Sequence, residues 1–244
     1  MEHSDKSLIK IAYILGIFFI IGLGIISYTW FQVKASDNAL SVTGSAKQSV
    51  TSDLVKWNSN FSRKVYVTDL KNGYAQMKKD EDEVIKFLKD NGVLDTEMSI
   101  SPISMQKEYV YDVKNGSEPD QYTLVQTVSV QSNNIDKITN ISKETQVLIN
   151  QGVIFSSFAP EYYYSKLPEV RIALLPEAMK DAQNRATSIA KTTGQKVGSL
   201  KSATMGVVQV TQPNSVDISD YGNYDVSTIE KEVMITVRAS FSLK

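Results

Sequence analysis

The chain has no cysteine among its 244 residues, which excludes thiol nucleophiles, disulfides and thiolate metal sites. Histidine is nearly absent as well, because the one histidine is His3, in the N-terminal tail. No Ser-His-Asp triad, His-rich zinc site or imidazole general base can therefore stand in the folded part. Any reaction would fall to carboxylates, Lys, Tyr, Ser or a cofactor. No constellation reads as catalytic, cofactor-binding or metal-ligating, so the expectation is a protein that is not an enzyme. An excess of one charge is also missing. Lys and Arg number 26 against 27 Asp and Glu, a net charge of −1, and the interspersed signs create no field that would gather nucleic acid along a face.

What the chain does possess is one long apolar run. Ile11 to Phe31 reads IAYILGIFFIIGLGIISYTWF without a charge, and at 1.5 Å rise per residue it matches a hydrocarbon core of about 30 Å. Tyr28, Trp30 and Phe31 close the run, where amphipathic rings favour the headgroup layer. Two readings compete. A signal peptide would be cut after Ala35, with Val33 and Ala35 as its small residues, but its apolar stretch is usually only about 7–15 residues. The length favours an uncleaved transmembrane anchor. Lys6 and Lys10 precede the run, which places the tail in the cytoplasm. The expected organisation is a cytoplasmic tail over 1–10, a single membrane span over 11–31, a linker over 32–39 and an extracytoplasmic domain over 40–244.

Beyond the linker the hydrophobic period becomes two. Leu40, Val42 and Gly44 alternate with Ser41, Thr43 and Ser45. Val55, Trp57, Phe61, Val65 and Val67 share one face of a second strand. From Thr68 the period is helical, with Leu70, Tyr74, Met77, Val84 and Leu88 on one stripe and Asn91-Gly92 as the stop. The run KKDEDE, Lys78 to Glu83, reads as a solvated outer face, since neighbouring helical residues cannot converge on one ion. Pro102 divides the third strand, which predicts a bulge or edge kink, and Asn115-Gly116 marks a turn. Strand four starts at Tyr122, and a helix follows through Ile135, Ile138, Ile141 and Leu148. GVIFSSF reads as a short strand, and Pro168 opens another helix. The last strand alternates cleanly, with Val233, Ile235, Val237, Ala239, Phe241 and Leu243 on one side. The sum is an α+β fold, a mostly antiparallel sheet with helices packed on it, preceded by one N-terminal transmembrane helix.

Ala178, Ala182, Ala186 and Ala190 recur every fourth residue and make a shallow groove along one helix ridge. Such a groove predicts close packing against the helix's own sheet, with a subunit contact as the alternative. This helix running into TGQKVGSL, the opening LSVTGSAKQSVTSDLVKWNSNF, the passage YTLVQTVSVQSNNIDKI and the terminal VMITVRASFSL together resemble the SIMPL-domain (YggE-like) family. The resemblance covers about Leu40 to Lys244. It implies a SIMPL-like α+β domain in the bacterial envelope, assembly into ring-like or channel-like homo-oligomers, and an association with stress tolerance. It supplies no catalytic residues and no cofactor.

Smaller motifs yield less. GSAKQS, Gly44 to Ser49, lacks the spacing of a phosphate loop and reads as a hairpin turn. Lys56, Arg63, Lys64 and Arg238 read as solvated sheet surface, with a carboxylate partner as the alternative for Arg63, which shares the parity of Trp57 and Phe61. EYYYSK offers Tyr162, Tyr163 and Tyr164, and the long stretch Gln212 to Thr228 offers Tyr221 and Tyr224. These five are the candidate interface or ligand contacts. The expected function is a membrane-anchored structural or interaction protein that self-associates. The alternative is an extracytoplasmic module that binds a small ligand through the same tyrosines.

Overall fold

The computed structural model describes residues 2–35, 38–108 and 120–244, and within its first helix the side chains from Leu15 to Phe31. The elements begin with α1 (Glu2–Ala35), β1 (Ala39–Thr51), β2 (Leu54–Tyr66) and α2 (Leu70–Asp90). Next come β3 (Met98–Ile100), β4 (Ser104–Lys107), β5 (Gln121–Ser132), α3 (Ile135–Ile141) and α4 (Gln146–Asn150). β6 (Phe155–Ser157), β7 (Glu161–Tyr163) and α5 (Leu167–Thr192) follow, and the chain finishes with β8 (Val197–Met205), β9 (Gln209–Thr211), β10 (Asn223–Tyr224) and β11 (Glu230–Leu243). The fold is α+β with antiparallel-rich sheets. The chain divides into two compact units, one over 1–47, 171–208 and 234–244, the other over 48–170 and 209–233.

In the first unit α5 covers the strands. Ala178, Ala182 and Ala186 are fully buried and Ala190 nearly so, and Ala182 and Ala186 share a cluster with Val42, Ala239 and Phe241. The groove therefore packs against the helix's own sheet, as the four-residue spacing predicts. The approach is backbone to backbone. A Cβ at Gly44 of β1 would fall inside contact distance of the Ala178 carbonyl and the Ala182 amide, so glycine is required there. The expectation of a hairpin turn at Gly44 to Ser49 is corrected, because these residues lie within β1. The hydrogen bond from Ser45 N to Asp181 Oδ2, 2.8 Å, ties the same stretch to α5. β8 runs antiparallel to β11, with Ala239 opposite Ala203.

In the second unit β2 and β5 form a long antiparallel pair, from Val55 opposite Ser132 to Tyr66 opposite Gln121. β6 and β7 share the free edge of β2, and β3 and β4 share that of β5. The break between β3 and β4 falls at the predicted Pro102. There Ser101 replaces the ladder, its N–H donating to the Thr127 carbonyl and its hydroxyl accepting from Thr127 N, both at 2.9 Å. Val55, Trp57, Phe61, Leu124 and Val128 form the centre of the core, with Met77, Val84 and Leu88 of α2 and Ile138 and Leu148 of α3 and α4. The single helix expected over Ile135 to Leu148 is two. Ser142 to Thr145 forms a turn, with the Ser142 hydroxyl donating to the Thr139 carbonyl, as short hydroxylated side chains do when they compete with a helix. The Asn115-Gly116 turn lies outside the described residues.

Two further expectations change. Lys78 to Glu83 is not wholly a solvated face: Asp80 is 3% exposed and receives Arg63 through two hydrogen bonds, Nε to Oδ2 and Nη2 to Oδ1, at 2.5 and 2.8 Å. Arg63 Nη2 also donates to the Gly152 carbonyl at 3.0 Å. The pair raises the pKa of Arg63, chiefly through the Asp80 hydrogen bond. Glu81 Oε2 accepts from Gln126 Nε2 at 2.7 Å. Arg63 is therefore not solvated sheet surface; the alternative holds, and its carboxylate partner is Asp80. The expected span over Ile11 to Phe31 is not shown either: among the described residues no helix is long and apolar enough to cross a membrane.

Ala182→Leu should lower stability by about 1–3 kcal/mol, as overpacking does, and an unchanged denaturant midpoint would refute the close approach. Asp80→Asn should cost about 2–3 kcal/mol by leaving the Arg63 charge uncompensated. Arg63→Met combined with Asp80→Leu should recover most of that loss in the same denaturation measurement.

Candidate functional site

The candidate tyrosines occupy two places in the sequence, 60 residues apart, yet three of the five converge in the second unit. β7 pairs with β2 so that Tyr163 faces Leu54 and Tyr162 faces Val55. Strand alternation sends these two neighbours to opposite sides. Tyr162 turns inward, buried in the core, with its hydroxyl 3.0 Å from that of Thr139. It is a packing residue.

Tyr163 turns outward. Its ring lies 5.9 Å from that of Tyr224, tilted by 30°. The Lys56 ammonium sits 4.9 Å from the Tyr163 centroid, in the range of a cation–π contact. Its hydroxyl donates to Glu161 Oε2 at 2.7 Å. That hydrogen bond, then burial, then the charge of Glu161 hold the phenol above its ordinary pKa, so it stays protonated and serves as a donor. Tyr224 stands on β10, which pairs in parallel with β9, and its hydroxyl accepts from Tyr164 N at 2.9 Å. Tyr163, Tyr164 and Tyr224 thus form one cluster that fixes β10 to the end of β7. Tyr221 takes no part. It is 97% exposed and precedes Gly222, whose φ of 88° makes the turn that side chains disfavour.

Beside this cluster is a residue that the sequence reading passed over. Lys231 at the start of β11 is fully buried. Its Nζ donates to the carbonyls of Asp225 and Thr228, each at 2.6 Å, and lies 3.4 Å from Asp225 Oδ2. Three N–H donors thus meet three acceptors, so the ammonium is saturated. The Tyr224 ring centroid is 6.0 Å away. Asp225 is itself surrounded by donors: the Thr228 hydroxyl at 2.5 Å, the Ser227 hydroxyl at 2.7 Å and the amides of both residues at 3.2 Å. Burial alone would raise the pKa of Asp225. The hydrogen bonds from Thr228 and Ser227 and the charge of Lys231 outweigh it and hold the carboxyl well below the usual range. For Lys231 burial dominates and lowers the pKa, against the opposing pull of Asp225.

The arrangement is closed chemically. Each charged group of the knot has its protein partners, leaving no free base or acid for a substrate. What the knot does is mechanical: it anchors the base of the Gln212 to Thr228 excursion while the tip projects. Val216, Ile218 and Tyr221 on that tip are 90%, 72% and 97% exposed. Among the described residues no group of three or more His, Cys, Asp or Glu is placed to hold a metal. Lys231 was legible in principle, because it shares the parity of the buried Val233, Ile235 and Val237. Asp80 likewise sits at helical spacing between Met77 and Val84.

Residues 40–241 match a family model described as SIMPL, a protein of unknown function (DUF541). The chain belongs to the SIMPL family. The match runs from β1 into the last turn of β11's alternation, so it includes the tyrosine cluster, the Lys231 knot and the exposed tip. A search of curated proteins found no match. The SIMPL assignment therefore brings a domain type, and the geometry above carries the functional reading.

Lys231→Met should leave two buried carbonyls without a donor and cost about 1–3 kcal/mol, with new proteolytic cleavage between Gln212 and Thr228 as the local signature. Asp225 has a depressed folded pKa, so its contribution is complete above the unfolded carboxyl value of about 3.9 and is lost as the pH falls below it. In acid titrations of stability, Asp225→Asn should start lower at neutral pH and fall less steeply below about pH 4.

Proposed function

We propose that this SIMPL protein is a membrane-anchored, extracytoplasmic structural protein whose domain self-associates into a ring-like or channel-like homo-oligomer. The observation that carries the anchor is α1. From Leu15 to Phe31 its residues are exposed on every side except at Gly22, and they include Leu15, Phe18, Phe19, Ile20, Ile25 and Ile26. A helix apolar all round requires an apolar surrounding, and the charge-free run from Ile11 to the Tyr28-Trp30-Phe31 end has the length of a bilayer core. Lys6 and Lys10 then keep the tail cytoplasmic and put the SIMPL domain on the other side. A place in envelope stress tolerance is the physiological extension of this proposal.

The exposed tip supports the assembly half. Val216, Ile218 and Tyr221 present apolar side chains to solvent on a loop whose base is rigidly held. Interfaces favour this combination, since an anchored loop loses little further freedom on binding. Parallel anchors give every copy the same orientation, which suits cyclic symmetry. The ligand-binding alternative has less to draw on, because Tyr162, Tyr163 and Tyr224 already spend their hydroxyls on protein partners.

Full-length protein should resist carbonate extraction from membranes, and light scattering of the solubilised chain should give a mass above that of a dimer. The triple change Val216→Ser, Ile218→Ser, Tyr221→Ser should reduce that mass without shifting the thermal midpoint. A carbonate-extractable chain, or a monomer whose mass is unchanged on concentration, would defeat the corresponding half of the proposal.

A further inference from the structure

Three lysines lie near one another in the first unit, two lining one groove and the third paired across the strands with one of them. Lys191 lies in the last turn of α5. Gly194, with φ of 70°, turns the chain into Gln195-Lys196 and on to β8. Lys196 and Lys244 exchange both backbone hydrogen bonds, Lys196 N to Lys244 O at 2.8 Å and Lys244 N to Lys196 O at 2.9 Å, and a pair bonded in this way projects its two side chains to the same side. Lys191 and Lys196 line one groove with Gln183, Thr187 and Gln195, and no carboxylate lines it. All three lysines are exposed, and among the described residues none has an ion-pair partner. The nearest acid on α5, Asp181, is occupied by Arg185 at 2.8 Å and by the Ser45 amide.

The position of this cluster is what gives it meaning. Leu243 N donates to the Asn38 carbonyl at 3.2 Å, so the strand end that carries Lys244 is bonded to a residue three positions past Ala35, where α1 ends. Three residues reach at most about 11 Å, and Phe31 to Ala35 adds about 6 Å of helix. Asn38, to which the end of β11 is bonded, is therefore tethered within about 17 Å of the aromatic end of α1. A headgroup layer is about 5–8 Å deep, and charges act across a further Debye length of about 8–10 Å. The main-chain carboxylate of Lys244 offsets one of the three ammonium charges, so Lys191, Lys196 and Lys244 together leave this end net positive.

We infer that Lys191, Lys196 and Lys244 form a contact for the anionic phospholipid headgroups of the bilayer that holds α1. The inference rests on the membrane-anchor reading above. Its chemistry is that of phosphate recognition by flexible ammonium groups, each acting as a point charge with three donors. The attraction is set by the number of lysines within a Debye length of the surface. The side-chain amides of Gln183 and Gln195, which line the same groove, offer N–H donors to phosphate oxygens between the charges. The consequence is that the first unit is drawn down onto the membrane instead of swinging freely on its linker.

The absence of cysteine makes a direct test available. Full-length protein carrying Thr193→Cys and one fluorophore is reconstituted into vesicles of phosphatidylcholine, or of phosphatidylcholine with phosphatidylglycerol, each containing a headgroup-nitroxide lipid as quencher. Quenching is expected to be stronger in the phosphatidylglycerol vesicles. It should be lost at about 1 M salt, where the Debye length is about 3 Å, and lost when Lys191, Lys196 and Lys244 are all changed to Gln. The corresponding triple Arg variant should retain it. Equal quenching in the two vesicle types, or an unchanged triple Gln variant, overturns the headgroup contact while leaving the anchor intact. Failure of the full chain to float with either vesicle overturns the anchor reading and the contact together. Thermal stabilisation of the detergent-solubilised chain by inorganic phosphate, with no dependence of quenching on lipid charge, would mark a free-anion site and also overturn it.

Discussion

At Gly44 the backbone of β1 lies directly against the backbone of α5, between Ala178 and Ala182, and the first unit is arranged around that approach. A helix can come this close to a strand only if neither element carries side-chain bulk at the crossing. This accounts for the glycine on one side and the four alanines on the other. Ala239 and Phe241 then fill the layer beside the crossing, and Asp181 reaches past it to the Ser45 amide. Because the helix is held at this depth and in this register, its C-terminal turn, and with it Lys191, has a defined place relative to β8 and the end of β11.

The second unit follows a different logic. Its core is large and conventional, built on Trp57, Phe61 and the face of α2, but long polar side chains pin its periphery. Arg63 crosses to Asp80 and to the Gly152 carbonyl. Gln126 joins Glu81 to the Ser101 carbonyl at the break between β3 and β4. Lys231 gathers Asp225 and Thr228. Each of these contacts joins segments distant in sequence, or closes a loop, at a place where the sheet ladder is interrupted. Backbone groups that lose their ladder partners at such breaks need replacements, and these side chains provide some of them.

The periodic parts of this architecture could be read directly from residues. The alternation through Val233 to Phe241 and the alanine spacing of α5 reflect burial on one face, and burial is what those patterns encode. The family resemblance was legible because several such segments occur in a fixed order. Asp80 was misread because a run of six charged residues suggests a solvated surface, although its spacing from Met77 and Val84 puts it on the buried stripe. The convergence of Tyr163 with Tyr224 has no local signal at all, since it depends on where β7 and β10 are docked. Lys231 falls between these cases. Its parity marks it as inward, but only the folded loop explains how a buried ammonium is solvated.

That solvation has a consequence for how the excursion responds to its surroundings. Loops that wrap carbonyl oxygens around a cation commonly borrow calcium or another dissolved ion, and their shape then follows the ion's concentration. Here the cation is an amine joined to the chain by its own side chain, so occupancy does not depend on dilution or on the mineral content of the medium. Chelators have nothing to extract from the Lys231 knot itself. The loop that presents Val216, Ile218 and Tyr221 is thereby built to keep one geometry through changes in external ions, with acid strong enough to protonate Asp225 as its point of weakness.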